Sequence, residues 1–282
     1  MTKSRTSAKA RKEPSGLDVP GGLEAMRSKG YAVVVAENPE ALIALRDRVV
    51  ATAAELLGVT PEDPERFLNR FHERGIGDVA LNEFRVTLIQ RLTATANAGE
   101  AIWEAFPSLL LGLVGPDILV QKGTNLVIQQ PNASDGTPIH RDAPPNSAFE
   151  VVVWLPLVDC FGTKGMHILD VDETREGVAI QLANVKDQDA LDAHVWSHGA
   201  VPTVPFGTAL FFWTGLVHAV PKNQEAETRW SLNIRYKNLF SPFGTKAMPE
   251  HFRILALSPL TKLAMDNKSH QVLSSVYGTL GR

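Results

Sequence analysis

The chain has 282 residues, 44% of them hydrophobic, with 28 Lys and Arg against 31 Asp and Glu and a formal net charge of −3. That balance excludes a general electrostatic pull towards nucleic acid or anionic membrane, and the single cysteine, Cys160, excludes an intrachain disulfide. With no apolar run near the ~18 residues of a membrane span and no hydrophobic leader, the expectation is one large cytoplasmic domain with small-molecule partners, no nucleic acid and no membrane.

Residues 1–16 hold Lys3, Arg5, Lys9, Arg11 and Lys12 among Ser, Thr and Ala. They carry too little apolar surface to order themselves and read as a flexible basic tail. Residues 17–115 read as a mainly helical support. A short helical pattern over 22–29 leads into Gly30-Tyr31-Ala32-Val33-Val34-Val35, a β-rich run opened by glycine. Asn38-Pro39-Glu40 places a cap and a first-turn proline ahead of apolar residues at helical spacing, which run to Leu57 and stop before Gly58. A second cap signal at Thr60-Pro61-Glu62 leads towards Phe67 and Phe71, and longer helical patterns follow over 80–95 and 100–114.

After Gly115-Pro116 the pattern changes to β-branched and aromatic runs separated by Pro, Gly, Asn and Asp, at about 124–130, 149–158, 165–171, 200–204, 208–219 and 228–238. Such a series predicts an antiparallel sandwich or barrel over 116–240, so the fold class is mainly β with flanking helices. The stretch 172–199 breaks the rhythm with charged and small residues plus His194, Trp196 and His198, and is expected to be an inserted lid or loop. The C-terminal segment 241–282 reads as loop and then helix, returning to the barrel mouth.

Within the β-rich block, Pro138-Ile139-His140-Arg141-Asp142 is the stretch that carries chemistry. Side chains alternate along a strand, so His140 and Asp142 project to one side. His218 sits late in the run that begins Ala209-Leu210-Phe211-Phe212-Trp213. Brought together, two imidazoles and one carboxylate make the facial triad that holds non-heme Fe(II) with open coordination positions. Eleven residues beyond His218, after a polar turn, Arg229 and Ser231 share a strand face; a guanidinium fork and a hydroxyl two residues on suit one carboxylate. Zinc fits the same three ligands but leaves Arg229 and Ser231 without a task.

This constellation resembles the Fe(II)/2-oxoglutarate-dependent dioxygenases, in which a His-x-Asp, a distal His and a later Arg-x-Ser lie on a double-stranded β-helix, the cupin-like jelly roll. The resemblance covers roughly 120–240 and is nearest to the phytanoyl-CoA dioxygenase-like branch. Phe149-Glu150-Val151-Val152-Val153-Trp154-Leu155-Pro156-Leu157-Val158 and Ser241-Pro242 look like the oxygenases of sporadic bacterial carbohydrate-biosynthesis clusters, while Phe161-Gly162-Thr163-Lys164-Gly165-Met166-His167 departs from the turn of many phytanoyl-type enzymes. It implies that residues 17–282 form one catalytic domain whose His140, Asp142 and His218 hold Fe(II), the metal at which catalysis occurs. Arg229 and Ser231 would hold 2-oxoglutarate, with Gln129, Asn125 and Trp154 as further cosubstrate neighbours. O2 would be the second cosubstrate, and succinate and CO2 would be released. Glu150, His167 and Arg235 are candidate substrate contacts. The substrate implied is a small polar metabolite, a sugar or sugar-containing natural product.

Other readings remain at this stage: a phytanoyl-like hydroxylase of an amino acid or lipid thioester, and a non-enzymatic, cupin-like sugar-binding module. His140-Arg141-Asp142 also imitates a protein-kinase catalytic loop. Neither a Gly-rich loop nor a strand lysine in the right context precedes it, so that reading is set aside.

Overall fold

A computed structural model describes residues 15–95, 97–133, 136–143, 145–183 and 188–267. Most of the expected basic tail, and the last part of the C-terminal segment, lie outside the described residues.

In chain order, helix α1 (Val19–Lys29), strand β1 (Tyr31–Val35) and helices α2 (Pro39–Leu57), α3 (Pro64–Asn69), α4 (Asp78–Thr95), α5 (Ala98–Ala105) and α6 (Pro107–Val114) form the N-terminal part. Strands β2 (Ile118–Gln121), β3 (Asn125–Gln129), β4 (Thr137–His140), β5 (Glu150–Pro156) and β6 (His167–Ile168) follow. Helices α7 (Val171–Ala183) and α8 (Gln188–His198) then lead to β7 (Thr208–Trp213), β8 (His218–Val220), β9 (Arg229–Asn238), β10 (Phe252–Ala256) and α9 (Pro259–Asp266).

Several boundaries follow from local chemistry. Asp18 caps α1 by accepting from Gly21 N at 3.0 Å, and Gly30 closes it in the left-handed region at φ 81. Helix α3 begins at Pro64, with Asp63 accepting from the amides of Glu65 and Arg66. The cap signal expected at Thr60 is therefore displaced by three residues. The pattern expected as one helix over 100–114 is two, because Phe106 breaks the run and Pro107 restarts it as a first-turn proline.

The larger sheet is antiparallel, in the order β1-β7-β5-β9-β2-β10, with β3 also paired to β9. Strand β9 organises it, since its first half pairs with β3, its second half with β2 and nearly its whole length with β5. Alternation splits β9 into two faces. Trp230, Leu232, Ile234 and Tyr236 point to the helices: Trp230 meets Phe71 edge-on at 5.0 Å and donates to Leu68 O at 3.1 Å, and the Tyr236 hydroxyl donates to Gly99 O at 2.7 Å. Burial of each such ring is worth roughly 1.5–3 kcal/mol, which fixes the register, because a slip by one residue would turn all of them over. The other face carries Arg229, Ser231, Asn233, Arg235 and Lys237.

The smaller sheet, β4-β8-β6, is also antiparallel and lies against that second face. His218 sits directly opposite His140 on β4 and Ile168 on β6, so these three share a side. The reverse side of the small sheet is apolar and is covered by α7 and α8: Leu169, Leu191, Val195, Val217 and Ala219 make a satellite core. The described residues of the stretch expected as a lid or loop over 172–199 are thus a helical pair that backs the small sheet, with Asp170 capping α7 through Glu173 N at 2.9 Å. The molecule is a two-sheet jelly roll between two helical layers. Strand runs expected at 200–204 and 165–171 shrink to isolated bridges at Ala200 and Val204 and to the two residues of β6.

Candidate metal centre

The three expected ligands meet between the sheets. One ligand atom each from His140, Asp142 and His218 lies within 4.8 Å of the others. His140 and His218 are cross-strand partners with ring centroids 4.2 Å apart, and His140 Nε2 stands 3.8 Å from Asp142 Oδ1. His218 opens its own strand after a turn at Thr214–Val217, and does not sit in the continuation of β7 as the sequence suggested.

Local backbone geometry sets the tautomers. His140 Nδ1 lies 2.8 Å from Pro138 O, and His218 Nδ1 lies 3.0 Å from Leu216 O. A carbonyl oxygen only accepts, so each Nδ1 carries the hydrogen and donates it, leaving each Nε2 with its lone pair. In both cases the carbonyl belongs to the residue two positions earlier. Burial, and then the adjacent His140, push the His218 imidazole down to about 4, so it is neutral and ready to coordinate at physiological pH.

Asp142 is oriented from the large sheet. Arg235 Nη2 donates to Asp142 Oδ2 at 2.8 Å, and Arg235 Nη1 donates to Gln121 Oε1 at 3.1 Å. This leaves Oδ1 on the side of His140. Asn146 Nδ2 donates to the Asp142 carbonyl at 2.8 Å and closes the turn behind the ligand. The set of two Nε2 lone pairs and one carboxylate oxygen suits Fe(II), and these groups are held by their surroundings as metal ligands require.

The inner face of β9 carries the rest. Arg229 is 2% exposed and Ser231 0%, and they are paired in register with Gln129 and Val127 of β3. The Ser231 hydroxyl and the Asn233 side-chain oxygen are buried without a hydrogen-bond partner among the described residues. Buried polar atoms are rarely left so; the Ser231 hydroxyl, on one face with a buried guanidinium, can donate to an anionic guest such as a dicarboxylate, whereas the Asn233 oxygen can only accept. Gln129 lies opposite Arg229 but donates its amide to Pro221 O at 3.0 Å. Trp154 is 2% exposed and lies opposite Asn233. Asn125 also pairs with Asn233 but is exposed at the end of β3.

The three candidate substrate contacts separate. Arg235 is engaged with Asp142 and Gln121. Glu150 is buried opposite Lys237, with Oε1 accepting from Ser147 N at 2.8 Å; burial, the largest cause, raises its carboxyl above the usual range. His167 pairs with Ala219, one residue out of phase with His218, and so faces the insert, edge-on to Trp196 at 4.6 Å. Alternation carries it to the opposite side of the small sheet from the triad. Sequence reasoning missed Gln121 and Asn146. Nothing local marks Gln121, whose role depends on β2 lying beside β9, whereas Asn146 stands four residues after Asp142 in a turn-forming stretch.

No family model matches the chain and no curated protein does either. Solved structures do share its fold. A carbocyclase from nogalamycin biosynthesis, SnoK, described as non-heme and α-ketoglutarate dependent, matches 87% of this chain and all of its own, with a TM-score of 0.54 at 14% identity. EctD from S. alaskensis with bound Fe covers 82% of each chain, with a TM-score of 0.52 at 13% identity. AviO1 from Streptomyces viridochromogenes Tue57 covers 82% of this chain and 99% of its own, with a TM-score of 0.51 at 19% identity.

Proposed function

We propose that the chain is an Fe(II)- and 2-oxoglutarate-dependent oxygenase that oxidises a small polar metabolite, a sugar or sugar-containing natural product. The observation that carries this reading is a His-Asp-His set with both Nε2 lone pairs free, together with a buried Arg229 and an unpartnered Ser231 hydroxyl on the facing strand. The fold shared with SnoK and EctD, whose descriptions name α-ketoglutarate dependence and bound iron respectively, supports it.

When bound, ferrous iron and 2-oxoglutarate supply the activation of O2 coupled to loss of CO2 from the keto acid, with succinate as coproduct. His140, Asp142 and His218 would hold the metal, and they leave the remaining positions to exogenous ligands. Arg229 would clamp the distal carboxylate of the keto acid through its planar fork, and Ser231 would donate a second bond to it. Pro138 O and Leu216 O keep the imidazoles oriented, and Arg235 keeps Asp142 turned. Trp154, Val152 and Phe212 make a dry wall beside these groups, which strengthens every polar contact within. Selection of the attacked carbon depends on how the substrate is placed against this wall.

The test is turnover of 2-oxoglutarate to succinate by the reconstituted ferrous protein. We expect succinate release that is abolished in His140→Ala and Asp142→Ala; equal release by wild type and variants would remove the triad from catalysis. A sugar-binding module without redox activity would release none.

A further inference from the structure

A second cluster of metal-ligating side chains lies away from the triad, where the two insert helices meet. His194 and His198 stand one turn apart on α8, with ring centroids 4.6 Å apart and planes 31° from parallel. Residues at this spacing share a helix face, and paired imidazoles at that spacing can chelate one ion. Glu173 comes from the first turn of α7, where Asp170 fixes its amide. One ligand atom from each of the three residues lies within 4.8 Å of the other two.

We propose that Glu173, His194 and His198 bind a divalent transition-metal ion such as Zn2+, with water completing the coordination. A tetrahedral site with bonds of about 2.1 Å sets its ligand atoms about 3.4 Å apart. Small rotations of the two outer side chains reach that spacing, since His198 is exposed and the Glu173 side chain is 38% exposed. The inner ligand is already fixed. His194 is 7% exposed and lies against Gly177 of α7, where a Cβ would come within 3.2 Å of His194 Cδ2.

Each neutral ring has one nitrogen with a lone pair to give. His198 Nδ1 lies 3.1 Å from His194 O and 2.8 Å from Ser197 Oγ, and donation from Nδ1 to that carbonyl leaves the lone pair on Nε2. His194 Nε2 lies 2.9 Å from Glu173 O and 3.4 Å from Glu173 Oε2, so it is the nitrogen that faces the carboxylate; to ligate there it gives up the carbonyl and the ring carries its hydrogen on Nδ1. The ordinary alternative is a solvated cluster in which His194 and Glu173, 3.4 Å apart, make at most a weak surface ion pair. Two neutral imidazoles and one carboxylate leave a divalent ion with a net charge of one, which solvent at this exposed edge accommodates. A bound ion would tie α7 to α8, the layer that backs the strands carrying His140 and His218.

The experiment uses the full chain without an affinity tag, stripped with chelator and titrated with Zn2+ by calorimetry. The double variant His140→Ala/His218→Ala, which lacks the triad, should retain one equivalent of Zn2+ and a Zn2+-dependent rise in melting temperature. Adding His198→Ala or Glu173→Gln should weaken that uptake at least about tenfold, the equivalent of about 1.4 kcal/mol. No uptake by a folded double variant overturns the proposal, as does uptake unchanged by both substitutions. Should the double variant not fold, wild type and His198→Ala are compared directly. Loss of one equivalent supports the site and equal stoichiometry overturns it.

Discussion

Arg235 and Asp142 are joined across the two sheets by a hydrogen-bonded ion pair, Nη2 to Oδ2 at 2.8 Å, with the side chains only 12% and 13% exposed. One carboxylate oxygen is thereby occupied and the other is left for the proposed metal. Removing one partner of so enclosed a pair strands the other. Arg235→Gln should weaken divalent-metal binding by about 10–100-fold, the range for loss of an outer-shell partner. It should also lower the melting temperature of the metal-free protein more than that of the loaded protein, because metal offsets the stranded charge. Calorimetric titration and thermal melts check both; unchanged affinity contradicts the positioning role.

Arg229 and Ser231 should separate in kinetics. Loss of a charged hydrogen-bond partner costs about 1.5–3 kcal/mol, and loss of a neutral one about 0.5–1.5 kcal/mol. Arg229→Gln should therefore raise the apparent KM for 2-oxoglutarate by roughly 10–150-fold and Ser231→Ala by roughly 2–10-fold. Ser231→Ala should leave the unliganded protein at least as stable as wild type, because it removes a buried hydroxyl that has no partner among the described residues. Marked destabilisation of that variant, without loss of affinity, would assign the hydroxyl to the fold.

Glu150 gives a pH signature. Burial raises its carboxyl in the folded state, so between the ordinary carboxylate pKa and the raised one the folded chain binds more protons than the unfolded chain. Through that window this group makes stability rise as pH falls. Glu150→Gln keeps the acceptor for Ser147 N and removes the buried charge, while Lys237 Nζ stays with Pro242 O at 2.7 Å. The variant should match or exceed wild-type stability at pH 8, with the difference shrinking towards pH 4. Denaturant melts at both pH values check this; a variant that is much weaker at pH 8 than at pH 4 would mean that the Lys237 charge governs the site.

The seam between helix and sheet is tight at Gly99, where an added Cβ would lie 2.5 Å from Val120 Cγ2. Alanine is favoured over glycine in a helix by about 1 kcal/mol, but overpacking costs about 1–3 kcal/mol. Val120 is short, branched and fully buried, so the clash should win and Gly99→Ala should destabilise. A rise in melting temperature would show that the seam yields.

What the sequence made legible was whatever repeats at a short period. The alternation His140-x-Asp142 and Arg229-x-Ser231 survives intact in β4, its following turn and β9, because a strand face needs no tertiary information to be read. Strands β2 and β10 escaped: four and five residues are too short for a pattern, and their place beside β9 is a long-range fact. With β2 went Gln121 and its bond to Arg235. The helices of the insert were not legible because their buried face is mixed: Leu191 and Val195 are interspersed with Thr174, Gly177 and His194, which gives no apolar stripe at helical spacing. His167 stands one residue out of phase with His218, which in a sheet is the difference between two faces and which no local pattern reveals. Pro107 was readable as a helix restart, and weighing it would have divided the 100–114 pattern correctly.

In the proposed function His140, Asp142 and His218 converge on ferrous iron that also takes a keto diacid. The most direct measurement is anaerobic addition of Fe(II) and then 2-oxoglutarate to the metal-free protein, followed by visible absorption. The account predicts a weak charge-transfer band in the wild type that is absent in Asp142→Ala and needs more 2-oxoglutarate in Arg229→Gln. A wild-type protein that binds Fe(II) but develops no band, or a band of equal strength in Asp142→Ala, would contradict it.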